Sequence, residues 1–275
     1  MTLVTLSDVL QPALSGHYAV AGVVVLGWED ARAFVNAAEA EQSPLILQAG
    51  PGCRAHTPLP ILAAMFRHLA EHASVPIVAH LDHGYSVDEC RAAIECGFTS
   101  VMFDGSSLPL DENIERTAEI AQLAHENGVS IEGEIGFVGY DTGAISSGTD
   151  PEEARRFARE TNVDAMAISI GNLHLQKSQA AAVDMDLLRR IEAVTDVPLV
   201  LHGGSGIPHN TRRELATTSK VCKFNIGTEL RQVFGASLRR TLAENPDTFD
   251  RISLLSAIEN PLSKATRTVL QYMRG

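Results

Sequence analysis

From residue 18 onward, short runs rich in Val and Ile alternate with longer amphipathic stretches, and the alternation repeats about eight times. A chain patterned this way builds a parallel sheet whose strands are covered on both faces by the intervening helices. The expected strands are 18–25, 44–49, 75–81, 100–104, 129–134, 164–170, 198–202 and 221–226, each a continuous apolar run without half-exposed alternation. Two α/β architectures share the pattern. Eight units without a G-x-G-x-x-G turn favour a closed (β/α)8 TIM barrel over a doubly wound open sheet. A length of 275 residues suits one such barrel, so residues 1–275 are expected to form a single domain.

Helix signals fill the gaps. Residues 111–127 place Ile114, Ala118, Ala121 and Ala124 near one face, and Gly128 is the expected stop. Thr149-Asp150-Pro151-Glu152-Glu153 combines an N-cap, a first-turn proline and early carboxylates, so a helix should begin there. Further helices are expected at 6–14, before the barrel, and at roughly 248–273, after it.

Composition narrows the partners. With 45% apolar and 20% charged residues the chain reads as an ordinary soluble protein. A net charge of −12 without a basic block argues against nucleic acid. No run suits a membrane span or a signal peptide, so a cytoplasmic location is expected. The four cysteines form no C-x-x-C pair and are expected to stay reduced.

In a barrel of this type the reactive groups sit at the C-terminal ends of strands and in the loops that follow. Reading only those positions gives Asp82 and His83 after the third strand, Asp104 and Glu134 ending the fourth and fifth, His174 after the sixth and His202 ending the seventh. Three imidazoles brought to one mouth from separate strands describe a catalytic zinc site with an open position, so His83, His174 and His202 are the expected ligands. His80 suits packing behind the site. The other six histidines are read as surface or core residues. Two loops read as a phosphate cradle: Gly203, Gly204 and Ser205 after the seventh strand, and Asn225, Gly227 and Thr228 at the eighth. Glycines bring backbone N–H groups close to an anion, and the hydroxyls add donors.

The order of these motifs resembles the class II, zinc-dependent fructose-bisphosphate and tagatose-bisphosphate aldolases over nearly the whole chain. The matching segments are His80-Leu81-Asp82-His83-Gly84, Ser100 to Ser106 followed by Glu112-Asn113-Ile114, Glu132-Gly133-Glu134-Ile135-Gly136, Thr149 to Ala154, Ile170-Gly171-Asn172-Leu173-His174, Leu201 to Gly206, and Lys223 to Leu230. The resemblance implies reversible cleavage of a phosphorylated ketose into a dihydroxyacetone-phosphate-like fragment and an aldehyde. It implies Zn2+ on the three histidines, with Asp104 and Glu134 beside the metal as orienting groups or an alternative position for the ion. A monovalent cation, Na+ or K+, near the phosphate loops and a homodimer or homotetramer also follow from it. Asp82 is placed to exchange a proton with the hydroxyl that becomes the aldehyde. Successive side chains diverge at a strand end, so within the one mouth Asp82 is expected to face the substrate while His83 faces the metal.

Departures from the family pattern concern the substrate. The first strand ends in Val25-Leu26-Gly27-Trp28 without the usual asparagine, Ala49-Gly50-Pro51 lacks a familiar serine, and Leu175 stands where glycine is common after the third histidine. The loop after the fifth strand is short, and Asp141, with Tyr140 beside it, is the candidate for its missing base. Other readings are an aldolase for a different phosphorylated hydroxy-carbonyl compound, a non-catalytic barrel subunit, a metal-dependent hydrolase, and a lysine-dependent aldolase using Lys177 or Lys223.

Overall fold

The computed structural model describes residues 2–139 and 146–274. Eight parallel strands form a closed barrel in sequence order: β1 (Val20–Val24), β2 (Leu45–Ala49), β3 (Ile77–Gly84), β4 (Ser100–Phe103), β5 (Ser130–Ile135), β6 (Ala165–Ile168), β7 (Leu199–Leu201) and β8 (Val221–Ile226). Closure is made by β8 pairing with β1, with Val20 opposite Lys223 and Gly22 opposite Asn225. The helices are α1 (Leu6–Gly16), α2 (Trp28–Ala40), α3 (Pro51–His56), α4 (Leu59–His72), α5 (Val87–Cys96), α6 (Leu110–Glu126), α7 (Pro151–Thr161), α8 (Met185–Glu192), α9 (His209–Thr218), α10 (Thr228–Glu244) and α11 (Arg251–Gln271).

Local chemistry sets several boundaries. The Asp150 carboxylate accepts from the backbone N–H groups of Glu152 and Glu153 and starts α7 at Pro151. Helix α6 stops where Gly128 takes a left-handed φ of 68° and Val129 donates back to the Ala124 carbonyl. A reciprocal cap between Thr5 and Asp8 begins α1.

That first helix seals the N-terminal end of the barrel. Leu6, Val9, Leu10 and Ala13 pack against Val20, Ile46, Val78, Ala165, Ala167, Val200 and Cys222, the lowest inward residues of six strands. Each buried Val, Leu or Ile there contributes about 1.5–3 kcal/mol. Helix α11 packs outside, on α2 and α10, with an Arg32–Glu259 ion pair joining it to α2. No helix among the described residues is long and apolar enough to cross a membrane.

Above the apolar plug the interior turns polar. Inward positions run Ile46, Gln48 on β2, Val78, His80, Asp82 on β3 and Ser130, Glu132, Glu134 on β5, the two-residue period of a strand. Two expectations are corrected here. β3 does not end before Asp82 but runs to Gly84, because its pairing with β4 continues through a register shift between Leu81 and Gly84. β6 and β7 end earlier than expected, at Ile168 and Leu201, where the backbone leaves the barrel into the turns carrying His174 and His202.

Candidate active site

The register shift on β3 shapes the mouth. His83 has φ 53°, a left-handed conformation that a bulky residue adopts only where its surroundings enforce it. Strict alternation would send Asp82 and His83 apart. The bulge instead turns both to the mouth, where they were expected, with His83 Nε2 3.9 Å from Asp82 Oδ1. Arg54 on α3 enforces this geometry. Its Nη1 donates to the Ala49 and Asp82 carbonyls, each at 2.7 Å, and its Nη2 to the His83 carbonyl at 3.0 Å, while Glu89 lies 3.6 Å away. Nothing in the local sequence marks Arg54 for this task.

The three expected imidazoles do converge. Ring centroids are 4.7 Å apart for His83 and His202, 5.3 Å for His83 and His174, and 5.6 Å for His174 and His202. Each offers a ring nitrogen within 4.8 Å of the other two. The loops carrying them are locked together: Gly203 has φ 65°, a Cβ there would lie 2.0 Å from the Leu173 carbonyl oxygen, and Asn172 Nδ2 donates to the His202 carbonyl at 3.0 Å. Glycine at 203 is thus required by packing against the turn that carries His174.

Carboxylates orient the rings. Asp104 Oδ2 lies 2.8 Å from His83 Nδ1, which leaves Nε2 directed to the mouth. Glu132 Oε1 lies 2.9 Å from His202 Nε2, which leaves Nδ1 buried without a hydrogen-bond partner, since Glu134 Oε2 at 3.2 Å is poorly aligned. An orphaned buried imidazole nitrogen facing two other imidazoles fits a metal ligand, and the all-histidine donor set fits zinc chemistry. A second possible ligand group, His83, Asp104 and Glu134, shares one member with the first.

The charges are strongly coupled. Burial pushes His174 down to about 3, helped by the positive charge of His202 and His83. Burial also opposes charge on His202, but Glu134 and Glu132 outweigh it and push this ring up to about 10. Burial would raise Asp82, yet His83, His202 and Lys223 hold its carboxyl below the usual range, so it is ionised at neutral pH. Asn225 Nδ2 donates to Asp82 Oδ1 at 3.2 Å. Gly50 leaves Oδ2 accessible, since a Cβ there would lie 3.2 Å from it.

Beneath the mouth, Lys223 Nζ donates to Glu132 Oε2 at 2.5 Å and lies 3.3 Å from His80 Nε2. His80 Nδ1 in turn meets Ser100 Oγ at 2.8 Å, so His80 packs behind the site as expected. Glu132, His80 and Lys223 are all fully buried. Lys223 is therefore engaged away from the mouth and Lys177 is exposed, so neither amine is placed for Schiff-base chemistry. Glu132 was legible as an inward partner of Glu134 two residues on, but its link to Lys223 across the barrel was not.

A cavity of about 270 Å³ opens over these groups. Asp82, His83 and His174 line it, together with Gly203, Ser205, Asn225, Gly227 and Thr228; Gly204 is buried behind. Ser205 Oγ accepts from the backbone N–H groups of Gly227 (3.2 Å) and Glu229 (3.3 Å), joining the two loops of the expected phosphate cradle. Among the lining residues that sequence reasoning missed are Gln176, whose Oε1 is buried without a partner, and Arg231 on α10. Leu175, exposed at the rim with φ 57°, occupies a backbone conformation that suits glycine. Asp141 and Tyr140 lie outside the described residues.

The comparisons with known proteins agree with this geometry. A family model described as class II fructose-bisphosphate aldolase matches residues 4–274. The 6-phospho-5-dehydro-2-deoxy-D-gluconate aldolase of Bacillus velezensis is 38% identical over 256 residues, 91% of this chain and 88% of that protein. The fructose-bisphosphate aldolase of Geobacillus stearothermophilus is 35% identical over 257 residues, 91% of this chain and 89% of that protein. Among solved structures, the YdjI aldolase of Escherichia coli K12 superposes with a TM-score of 0.86 at 29% identity, covering 98% of this chain and 97% of that one. The chain belongs to the class II fructose-bisphosphate aldolase family and is a carbon–carbon lyase.

Proposed function

We propose that this chain is a zinc-dependent aldolase that reversibly cleaves a phosphorylated ketose into a dihydroxyacetone-phosphate-like fragment and an aldehyde. The carrying observation is the convergence of His83, His174 and His202 beside an ionised, buried Asp82 at one end of a lined cavity. The named relatives act on phosphorylated substrates, which supports a phosphoryl group at the other end.

His83, His174 and His202 would hold the zinc, with Asp104 and Glu134 beside it. Bound there, zinc supplies a Lewis acid that polarises the substrate carbonyl. Asp82 takes the proton from the hydroxyl that becomes the aldehyde as the carbon–carbon bond breaks, and the electron pair of that bond stays with the dihydroxyacetone-phosphate-like fragment. Asn225 fixes one oxygen of Asp82 so that the other, beside Gly50, meets the substrate. The fragment is later protonated, a role for which Asp141 remains the sequence candidate. Gly203, Ser205, Gly227 and Thr228 bind the phosphoryl group through backbone N–H groups and hydroxyls, Gly204 shapes their turn, and the same loops would hold a monovalent cation, Na+ or K+. The reading includes one barrel domain over residues 1–275, a cytoplasmic homodimer or homotetramer, and no nucleic-acid partner.

Zinc-loaded protein incubated with a panel of phosphorylated ketoses, read by product mass, tests the proposal. Release of an aldehyde plus dihydroxyacetone phosphate from one member, abolished by a chelator and restored by zinc, is expected. Failure of the metallated protein to cleave any phosphorylated ketose overturns it.

A further inference from the structure

The phosphate cradle is built from neutral donors, backbone N–H groups and the hydroxyls of Ser205 and Thr228, while the group it must hold is dianionic. The whole chain carries a net charge of −12, so the long-range field opposes such a substrate. Among the described residues lining the mouth there is one lysine or arginine, Arg231.

Arg231 lies three residues past Thr228 on α10, the spacing that puts both side chains on one face of the helix. Its backbone N–H donates to the Gly227 carbonyl at 3.0 Å, and a Cβ built on Gly227 would lie 3.7 Å from Arg231 Nη2, so the guanidinium overhangs the second loop of the cradle. The side chain is exposed, and no hydrogen bond or ion pair from its guanidinium is formed among the described residues. It also borders a second cavity, of about 300 Å³, lined by Glu29 and Asp30, and its charge reaches both Asp30 and Cys53. An arginine tied into an ion pair would be structural. Among the described residues this one has no such partner, and it is the one lysine or arginine at the edge of the cradle.

We infer that Arg231 is the counter-charge for the substrate's phosphoryl group and the residue that makes this mouth select phosphorylated over unphosphorylated ketoses. The inference rests on the aldolase reading for the identity of the substrate. The contact itself requires only a phosphate monoester in the cradle. A planar fork over Gly227 and Thr228 can engage two phosphoryl oxygens at once, a geometry that a lysine in the same place cannot reproduce.

The test uses metal-loaded wild type, Arg231→Gln and Arg231→Lys, with dihydroxyacetone phosphate, dihydroxyacetone and inorganic phosphate as probes in titration calorimetry, alongside KM and kcat for any cleaved ketose. Arg231→Gln is expected to weaken dihydroxyacetone phosphate roughly 10- to 100-fold, the span of a charge-assisted hydrogen bond, and to place the kinetic loss on KM. Dihydroxyacetone should bind both proteins alike, and Arg231→Lys should recover part of the loss. Rising salt should weaken dihydroxyacetone phosphate more in wild type than in Arg231→Gln. Equal affinity of wild type and Arg231→Gln for dihydroxyacetone phosphate overturns the inference, as does an equal loss for dihydroxyacetone. If wild type cleaves no ketose yet inorganic phosphate binds in an Arg231-dependent way, the aldolase reading falls and the Arg231 contact stands. If wild type cleaves and Arg231→Gln matches it, the Arg231 inference falls alone.

Discussion

Glu132→Gln isolates the buried network that orients His202. Two donors converge on this carboxylate, His202 Nε2 at 2.9 Å and Lys223 Nζ at 2.5 Å, and all three side chains are fully buried. Glutamine keeps the shape but offers one acceptor oxygen for two donors and turns its NH2 toward one of them. With that NH2 toward Lys223, the ammonium keeps His80 Nε2 at 3.3 Å in place of the carboxylate; with it toward His202, the imidazole loses its acceptor instead. Removing one partner of a buried ion pair costs about 3–5 kcal/mol, a large fraction of the roughly 5–15 kcal/mol that stabilises a folded protein. Loss of the carboxylate behind His202 should also weaken metal binding about 10- to 100-fold. Urea unfolding followed by circular dichroism reads the first effect, and metal titration against a competing chelator reads the second. Adding Lys223→Met to Glu132→Gln removes the stranded charge, so the double variant should recover part of the lost stability. Glu132→Gln within about 0.5 kcal/mol of wild type, the usual span for a surface change, with unaltered metal affinity, would refute the reasoning.

Asp82→Ala should keep its metal and cleave substrate at least ~10²-fold more slowly, the loss expected for a positioned proton acceptor; near-normal cleavage by the metallated variant removes Asp82 from the proton step. Arg54→Met removes the donors to the Ala49, Asp82 and His83 carbonyls, and the relaxed bulge should lower turnover roughly 10- to 100-fold, partly restored by guanidinium in solution. Unchanged turnover would mean that the strand alone holds His83. Asp30 supplies a pH test: burial pushes its carboxyl up to about 6 from 3.8, so the folded state holds this proton more tightly than the unfolded one. Its stabilising share is then full below the unfolded value and is lost as pH rises through the folded value, by about 3 kcal/mol at roughly 1.4 kcal/mol per pH unit. Asp30→Asn should therefore be more stable than wild type above pH ~6 and should not share the loss across that window; parallel stability profiles for the two proteins would contradict the assignment.

Much of the architecture is carried by local signals that need no partner. The eightfold alternation, the Asp150 cap and the Gly128 stop act within a few residues, so barrel class and helix starts follow from sequence. The rule that barrel chemistry gathers at strand ends selected His83, His174 and His202 from ten histidines, because closure of a parallel barrel brings all strand ends to one rim. Alternation along β5 likewise assigns Glu132 and Glu134 to one inward face.

What the rim does with these groups depended on contacts between distant segments. His83 and Asp82 point the same way because pairing of β3 with β4 slips by a bulge that Arg54 on α3 clamps, and no local propensity encodes that slip. Glu132 meets Lys223, 91 residues away, only once β8 has closed onto β1. Arg231 reaches the cavity over the mouth only because α10 starts at the rim of β8. Sequence periodicity tells which face of an element a side chain occupies, whereas the partner that it meets there is chosen by register and closure, which are properties of the whole barrel.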